Sequence, residues 1–278
     1  VSGERRIRVA VLGAGYVGGA MARSLASRGD MVWAVRRRPP PPEAGVIWLA
    51  GDVTSGVVPG LPTSLDAVVL AVAPGSAGDG YDRVYPPAAT AAMGLAEATG
   101  ARALVYTSST GVYGGRDGAW VDEATPTRGE GPGNAALIEA ERRLLASGRP
   151  GVTVLRVAGI YGPGRDPRPR FAAAGQLAMR GAYWVNLAHR DDIVGAVLGA
   201  MHHEGDARVL NVADGAPAQA ADIARWLATS AGRDASALVF DGDGVPARSN
   251  QRVANAALLA TGWRPEYPSF REGFARGL

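Results

Sequence analysis

The stretch Ile7-Arg8-Val9-Ala10-Val11-Leu12-Gly13-Ala14-Gly15-Tyr16-Val17-Gly18 decides how the rest of the chain is read. Its first half is an apolar run and is predicted to be a buried strand. Its second half is a G-x-G-x-x-G loop that opens onto an Ala-rich helical pattern over about residues 16–27. In that setting each glycine has a physical task. Gly13 permits a tight turn, Gly15 lets backbone approach a pyrophosphate, and Gly18 lets helix and strand pack closely. The helix N-terminus adds unpaired N–H groups and a partial positive charge. Gly13, Gly15, Tyr16, Val17 and Gly18 are therefore expected to cradle a dinucleotide.

The pattern continues outward from this loop. Strands are predicted at Met31 to Val35, Val46 to Leu49, Ala67 to Val72, Ala103 to Tyr106 and Val152 to Val157. The run at 67–72 is continuously apolar, as in a strand covered on both faces. Helical patterns fall near 83–99 and 135–147. Strands alternating with helices predict βαβ units and an α/β fold, a Rossmann-type doubly wound parallel sheet. After about residue 160 the rhythm changes. Gly162 to Pro169 reads as a loop, and helices near 192–202, 220–230 and 253–260 interleave with strands near 209–212 and 237–240. The expected division is 1–160 for the dinucleotide-binding domain. Residues 161–278 are expected to complete the sheet and form a small C-terminal substrate lobe.

The end of the second strand selects the nucleotide. An NAD site usually carries Asp or Glu there, accepting from the ribose 2′-OH. This chain has Val35-Arg36-Arg37-Arg38, and Asp30 comes too early. A guanidinium suits a 2′-phosphate, so Arg36 and Arg37 point to NADP as cofactor. Asp52 and Val53, after the third strand, are expected to flank the adenine.

Composition removes several chemistries. All 29 basic residues are arginine, and the chain has neither Lys nor Cys. Lysine Schiff bases, thiolate nucleophiles, disulfides and cysteine zinc sites are thereby excluded. Three histidines, badly spaced, do not make a metal cage, and no metal is expected. The net charge is only +3, with no basic stripe interleaved with aromatics, so nucleic acid is not an expected partner. No apolar run reaches the length of a membrane span. The charged first residues lack the apolar core of a signal peptide, so a cytoplasmic protein is expected.

Later motifs add a resemblance. Tyr106-Thr107-Ser108-Ser109-Thr110-Gly111-Val112-Tyr113-Gly114 ends a strand with a Ser/Thr cluster followed by Val-Tyr-Gly. Ala71-Val72-Ala73-Pro74, Arg156 to Pro163, His189-Arg190-Asp191-Asp192-Ile193 and Gly262-Trp263-Arg264-Pro265 follow the same family order. With the glycine loop, these make the chain resemble the extended short-chain dehydrogenase/reductases, the nucleotide-sugar epimerases and dehydratases, and most closely their atypical bacterial members. The resemblance implies that Ser109 is catalytic and that Ala71, Ala73 and Thr107 lie beside the cofactor. It also implies a small-molecule substrate and makes a homodimer plausible.

One departure concerns the chemistry itself. The family uses Tyr-x-x-x-Lys, with the Tyr eight residues before a Glu on the following helix. Counting back from Glu141 puts the Tyr position at Gly133 and the Lys position at Leu137. Without a neighbouring ammonium, a tyrosine is a poor base at neutral pH. The proton must come from elsewhere, and Tyr161 and His189 are the first candidates, with Tyr113 behind them. Tyr81 and Tyr85 are read as pocket lining or core. Asp191 and Asp192 suit helix capping, and Trp263 suits a pin for the tail. Trp120 and Trp184 suit a substrate wall or plain loops, and Arg165, Arg168 and Arg170 an anion clamp or a solvated loop. Two functional readings follow: an NADP-dependent oxidoreductase or epimerase-like enzyme on a small polar carbonyl or hydroxyl substrate, or a non-redox NADP-binding sensor or repurposed isomerase or lyase.

Overall fold

The computed structural model describes residues 6–56, 58–74, 80–115, 117–170, 176–241 and 249–278. Seven strands form the central sheet: β1 (Arg8–Leu12), β2 (Met31–Arg36), β3 (Val46–Ala50), β4 (Ala67–Leu70), β5 (Ala103–Ser109), β6 (Val152–Val157) and β7 (Arg208–Val212). Their order across the sheet is β7-β6-β5-β4-β1-β2-β3. The pairs β1–β2, β1–β4, β2–β3 and β4–β5 are all parallel. The bonds Gly151 N to Gly205 O and Ala158 N to Val212 O keep one sequence offset, as parallel pairing of β6 with β7 requires. This is the Rossmann-type sheet expected from the sequence. Chain direction reverses beside β1, and that switch point opens a crevice at the carboxyl ends of the strands.

The helices of this sheet are α1 (Tyr16–Ser27), α2 (Tyr81–Thr99), α3 (Pro132–Leu145) and α4 (Arg190–Ala200). α2 packs its alanines at 88, 89, 92 and 96, all without exposure, into a core shared with Leu12, Val68, Leu70, Leu104 and Leu144. Small residues let the helix approach the sheet closely. α3 is tied down by a buried ionic network. Arg156 on β6 donates to Glu141 through Nη2 (2.7 Å to Oε2) and Nε, and Ser108 Oγ on β5 donates to Glu141 Oε1 at 2.5 Å. Glu141 and Arg156 are 3% and 6% exposed. A buried charge of this kind persists only when it is paired and hydrogen-bonded. The network fixes the residue next to Ser109.

The chain divides into two compact units, Val1–Val112, Gly129–Arg156 and Ile193–Leu210 in the first, Tyr113–Arg128, Val157–Asp192 and Asn211–Leu278 in the second. They are interleaved, unlike the single boundary expected near residue 160. α4 and the start of β7 return to the first unit, and the segment after Val112 joins the second by pairing Trp120–Val121 with Arg252–Val253. The second unit also pairs Gly159–Tyr161 with Leu187–His189 and Trp184–Val185 with Ala218–Gln219. Its core gathers Tyr161, Leu187, Ala220, Ile223, Ala224, Phe270 and Phe274. Two- and three-residue strands carry too little alternation to be read from sequence. The helix expected near 253–260 begins at Ala256, and a helix at Phe270–Arg276 was not expected.

Candidate active site

The glycine loop shows two kinds of glycine. Gly13 has φ +87°, and a Cβ built on it would lie 2.7 Å from the backbone nitrogen of Val72. A Cβ on Gly18 would lie 2.5 Å from the carbonyl oxygen of Gly13. Both are glycine because the protein's own backbone fills the space. Gly15 differs: the nearest heavy atom to its Cβ position is 4.0 Å away. Gly15 is also the N-cap of α1, without a side-chain cap and with no acidic residue in the first turn. Among the described residues, no atom crowds a side chain at this position. The helix N-terminus faces open space that suits a phosphate. Gly13 and Ala14 donate to Val35 O at 3.0 and 2.8 Å, which joins the loop to the end of β2. Tyr16 and Val17, in the first turn, are half-buried.

Arg36, Arg37 and Arg38 follow at the end of β2, all exposed, and none makes an ion pair among the described residues. No carboxylate stands on that strand end. Asp52 is exposed, and its Oδ1 accepts from Thr54 N (2.9 Å) and Thr54 Oγ1 (2.7 Å). Those bonds, more than the charge of Arg37, hold its carboxyl below the usual range. Val53 is buried in the core, so Asp52 alone of the two presents a polar group at the surface. Ala71 and Ala73 follow β4, half-buried and exposed, and Thr107 Oγ1 on β5 donates to Leu70 O at 3.4 Å.

Ser109 closes β5, half-buried. Its Oγ accepts from Gly111 N at 3.1 Å, which leaves its proton free for another acceptor. A Cβ on Gly111 would lie 3.3 Å from both Ser109 Oγ and Asn134 Oδ1, so these two side chains converge. Asn134 was not singled out by sequence, because only the docking of α3 brings it here. The neighbouring Gly133 has the ring of Tyr81 against its open face: Cδ1, Cε1 and Cζ each lie 3.5 Å from its Cβ position. Tyr81 stacks on Tyr85 with centroids 6.2 Å apart and planes 19° apart. Burial pushes the Tyr85 phenol up. Among the described residues, no group of three metal-ligating side chains exists, and no helix is long and apolar enough to cross a membrane.

The model of the NAD dependent epimerase/dehydratase family matches residues 9–213, from β1 to just past β7. The chain belongs to this family. Among curated relatives, it is 32% identical to Protein YeeZ of Escherichia coli (strain K12) over 199 residues, which cover 68% of this chain and 71% of that protein. It is 31% identical over 211 residues to a 3-diazoavenalumate denitrifying reductase of Streptomyces sp, covering 65% and 66%. The structure of MoeE5 in complex with UDP-glucuronic acid and NAD superposes with a TM-score of 0.79 at 24% identity, covering 97% of each chain. That last likeness establishes the shared fold.

The second unit of this epimerase/dehydratase-family chain holds the other expected chemical residues, and it holds them shut. Tyr113 is 1% exposed and its hydroxyl donates to Asn211 Oδ1 at 2.6 Å. His189 is 0% exposed. Asp191 N donates to its Nδ1 (3.2 Å), which assigns the proton to Nε2, and Nε2 donates to Gly277 O (2.5 Å). Its ring is held against Tyr267 (centroids 3.9 Å) and Tyr161 (5.1 Å). Tyr161 is also fully buried, packed against Gly273, with its hydroxyl unpartnered among the described residues. Desolvation, then the charges of Asp214 and Asp192, push this phenol well up. The sequence offered Tyr161, His189 and Tyr113 as sources of a proton. Tyr113 and His189 have their polar atoms engaged, and the unpartnered Tyr161 hydroxyl is sealed from solvent. Ser109 is the one expected catalytic side chain with an available proton at the sheet edge.

The remaining candidates have structural partners. Asp192 accepts from Glu266 N (2.7 Å) and Tyr267 N (3.2 Å), and Trp263 Nε1 donates to its carbonyl oxygen at 3.2 Å. The His-Arg-Asp-Asp and Gly-Trp-Arg-Pro motifs thus bind each other. Arg168 forks onto Asp166, and nothing is described of the Arg170 side chain. Arg252 lies between Trp120 and Trp184, 5.3 and 4.8 Å from their centroids. Asp214, missed by sequence reading, is buried, and desolvation pushes its carboxyl up to about 8.

Proposed function

We propose that the protein is an NADP-dependent oxidoreductase or epimerase-like enzyme acting on a small polar carbonyl or hydroxyl substrate. The observation that carries this reading is the unfilled, uncapped helix start at Gly15, together with three exposed arginines and no carboxylate at the end of β2. Backbone N–H groups in the first turn of α1, at Tyr16 and Val17, hold the pyrophosphate, while the Gly15 N–H closes the loop onto Gly13 O at 2.7 Å. Arg36 and Arg37 take the 2′-phosphate with charge-assisted hydrogen bonds. Asp52 meets the adenine, and Ala71, Ala73 and Thr107 line the far ribose. When bound, the nicotinamide supplies a site that accepts or gives hydride. Ser109, with its Oγ anchored by Gly111 N, donates a hydrogen bond to the substrate oxygen and stabilises charge developing there, keeping its own proton. Tyr113, Tyr161 and His189 keep the second unit folded.

Fluorescence titration with NADPH and NADH tests this. Gly15→Ala leaves thermal unfolding nearly unchanged, because its Cβ comes no closer than 4.0 Å to Gly13 O, yet weakens both nucleotides about tenfold or more. Arg36→Asp with Arg37→Ala weakens NADPH about 100-fold, the loss of two charge-assisted contacts, and NADH only a few-fold. Equal losses for the two nucleotides refute the 2′-phosphate assignment. A second reading, an NADP-binding sensor, is favoured by the absence of any lysine. It requires tight NADPH binding with no NADPH consumption on a broad panel of aldehydes and ketones.

A further inference from the structure

We propose that Tyr81 is the catalytic acid of this site, its phenol delivered from the start of α2 into the side-chain space that Gly133 leaves blank on α3. The inference rests on the functional reading above and adds the proton that reading lacks.

Three observations converge on it. First, three atoms of one edge of the Tyr81 ring, Cζ among them, stand at 3.5 Å from the Cβ position of Gly133, ordinary contact distance. The ring therefore occupies the direction a side chain at 133 would take, and its hydroxyl lies one C–O bond beyond that contact. Second, the next residue on α3, Asn134, places its Oδ1 beside the same backbone point, Gly111, as the Ser109 hydroxyl. Tyr81, Asn134 and Ser109 thus gather where β5 ends and α3 begins. Third, Tyr81 is half-buried, and its hydroxyl has no hydrogen-bond partner among the described residues and is not sealed from solvent. This contrasts with Tyr161, whose unpartnered hydroxyl is sealed. The stack on Tyr85, itself half-buried, holds the ring in place. A fixed ring with a free, wet hydroxyl, packed against the residue next to the Asn134 that converges with Ser109, is a positioned acid.

The step is balanced simply. As hydride arrives at the carbonyl carbon, the C=O π pair moves onto oxygen. That oxygen, held by Ser109 Oγ–H, forms a bond to the Tyr81 phenolic proton. The phenol O–H breaks, and the tyrosinate is reprotonated by water. In the reverse direction the same groups take the proton away.

The experiment uses the full chain, with ¹³Cζ-labelled tyrosine for NMR, NADPH as cofactor, and the aldehyde and ketone panel. Tyr81→Phe keeps the ring and its stack and removes only the hydroxyl. Expected are an NADPH Kd within about twofold of wild type and a kcat lowered about 100-fold or more. Tyr85→Phe, which keeps the stack, stays within about threefold in both. Independently of turnover, saturation with NADP⁺ shifts the Tyr81 Cζ resonance, identified by its loss in Tyr81→Phe, while that of Tyr161 stays put. A Tyr81→Phe protein with wild-type kcat overturns the proposal. So does NADP⁺ binding that leaves the Tyr81 resonance unmoved. Failure of NADPH and NADP⁺ to bind at all overturns the functional reading itself, and the role of Tyr81 with it.

Discussion

The two units treat polar side chains in opposite ways. In the first, the groups at the carboxyl edge of the sheet are left unfinished: the start of α1 is uncapped, Arg36 to Arg38 are unpaired, and Ser109 keeps a proton to give. In the second, Tyr113, His189 and Asp192 spend their polar atoms on other protein groups, and Tyr161 and Asp214 are walled in. Residue type alone does not distinguish these situations. A tyrosine or a histidine has the same formula in both, and what differs is whether its polar atoms already have partners. The first unit keeps polar atoms open at the sheet edge, and the second uses the same residue types within its own interior.

Three substitutions sharpen or break that contrast. The largest effect is expected in a buried, closed network of the first unit. Glu141→Ala removes the carboxylate onto which Arg156 forks in the interior and should cost roughly 3–5 kcal/mol in denaturant unfolding, as broken buried pairs do. A loss below about 1 kcal/mol would mean that this network is not what anchors α3. The intermediate effect is at Asp214. Its folded carboxyl, pushed up to about 8, binds a proton that the unfolded chain releases near pH 4. Stability is therefore full below about pH 4 and falls as pH rises toward 8, with a slope of roughly 1 kcal/mol per pH unit. Asp214→Asn should flatten the pH dependence of unfolding across that window, and an unchanged slope would contradict a closed second unit. The smallest effect is at Tyr161. Its hydroxyl has no partner, so Tyr161→Phe should change stability by less than about 1 kcal/mol, toward stabilisation, and leave NADPH consumption intact. Loss of turnover would move chemistry back into the second unit.

The sequence made the first unit legible almost residue by residue. A strand, a glycine loop and a helix in immediate succession leave little freedom, and β1, α1 and the loop between them fall where the apolar run and glycines indicate. The open Gly15 and the arginines of β2 were readable for the same local reason. The Tyr81–Gly133 contact was not. Those residues are remote in sequence, and only the docking of α2 on α3 joins them. The second unit was hardest, because its strands are short and its aromatic and acidic residues advertise reactivity that burial withdraws. His189 reads in sequence as a proton shuttle, and in the fold both its ring nitrogens are engaged by the protein.

The tenancy of position 133 also bears on reversibility. A tyrosine reinstalled there would have to evict the Tyr81 ring, and a lysine four residues on would replace Leu137, which is 7% exposed within an alanine- and leucine-lined interior. Desolvating an ammonium in such surroundings costs several kcal/mol. Neither change is tolerable without the other and without remodelling α2 as well. Directed evolution toward the ordinary acid–base pair therefore starts in a fitness valley, and the packing at position 133 acts as a ratchet.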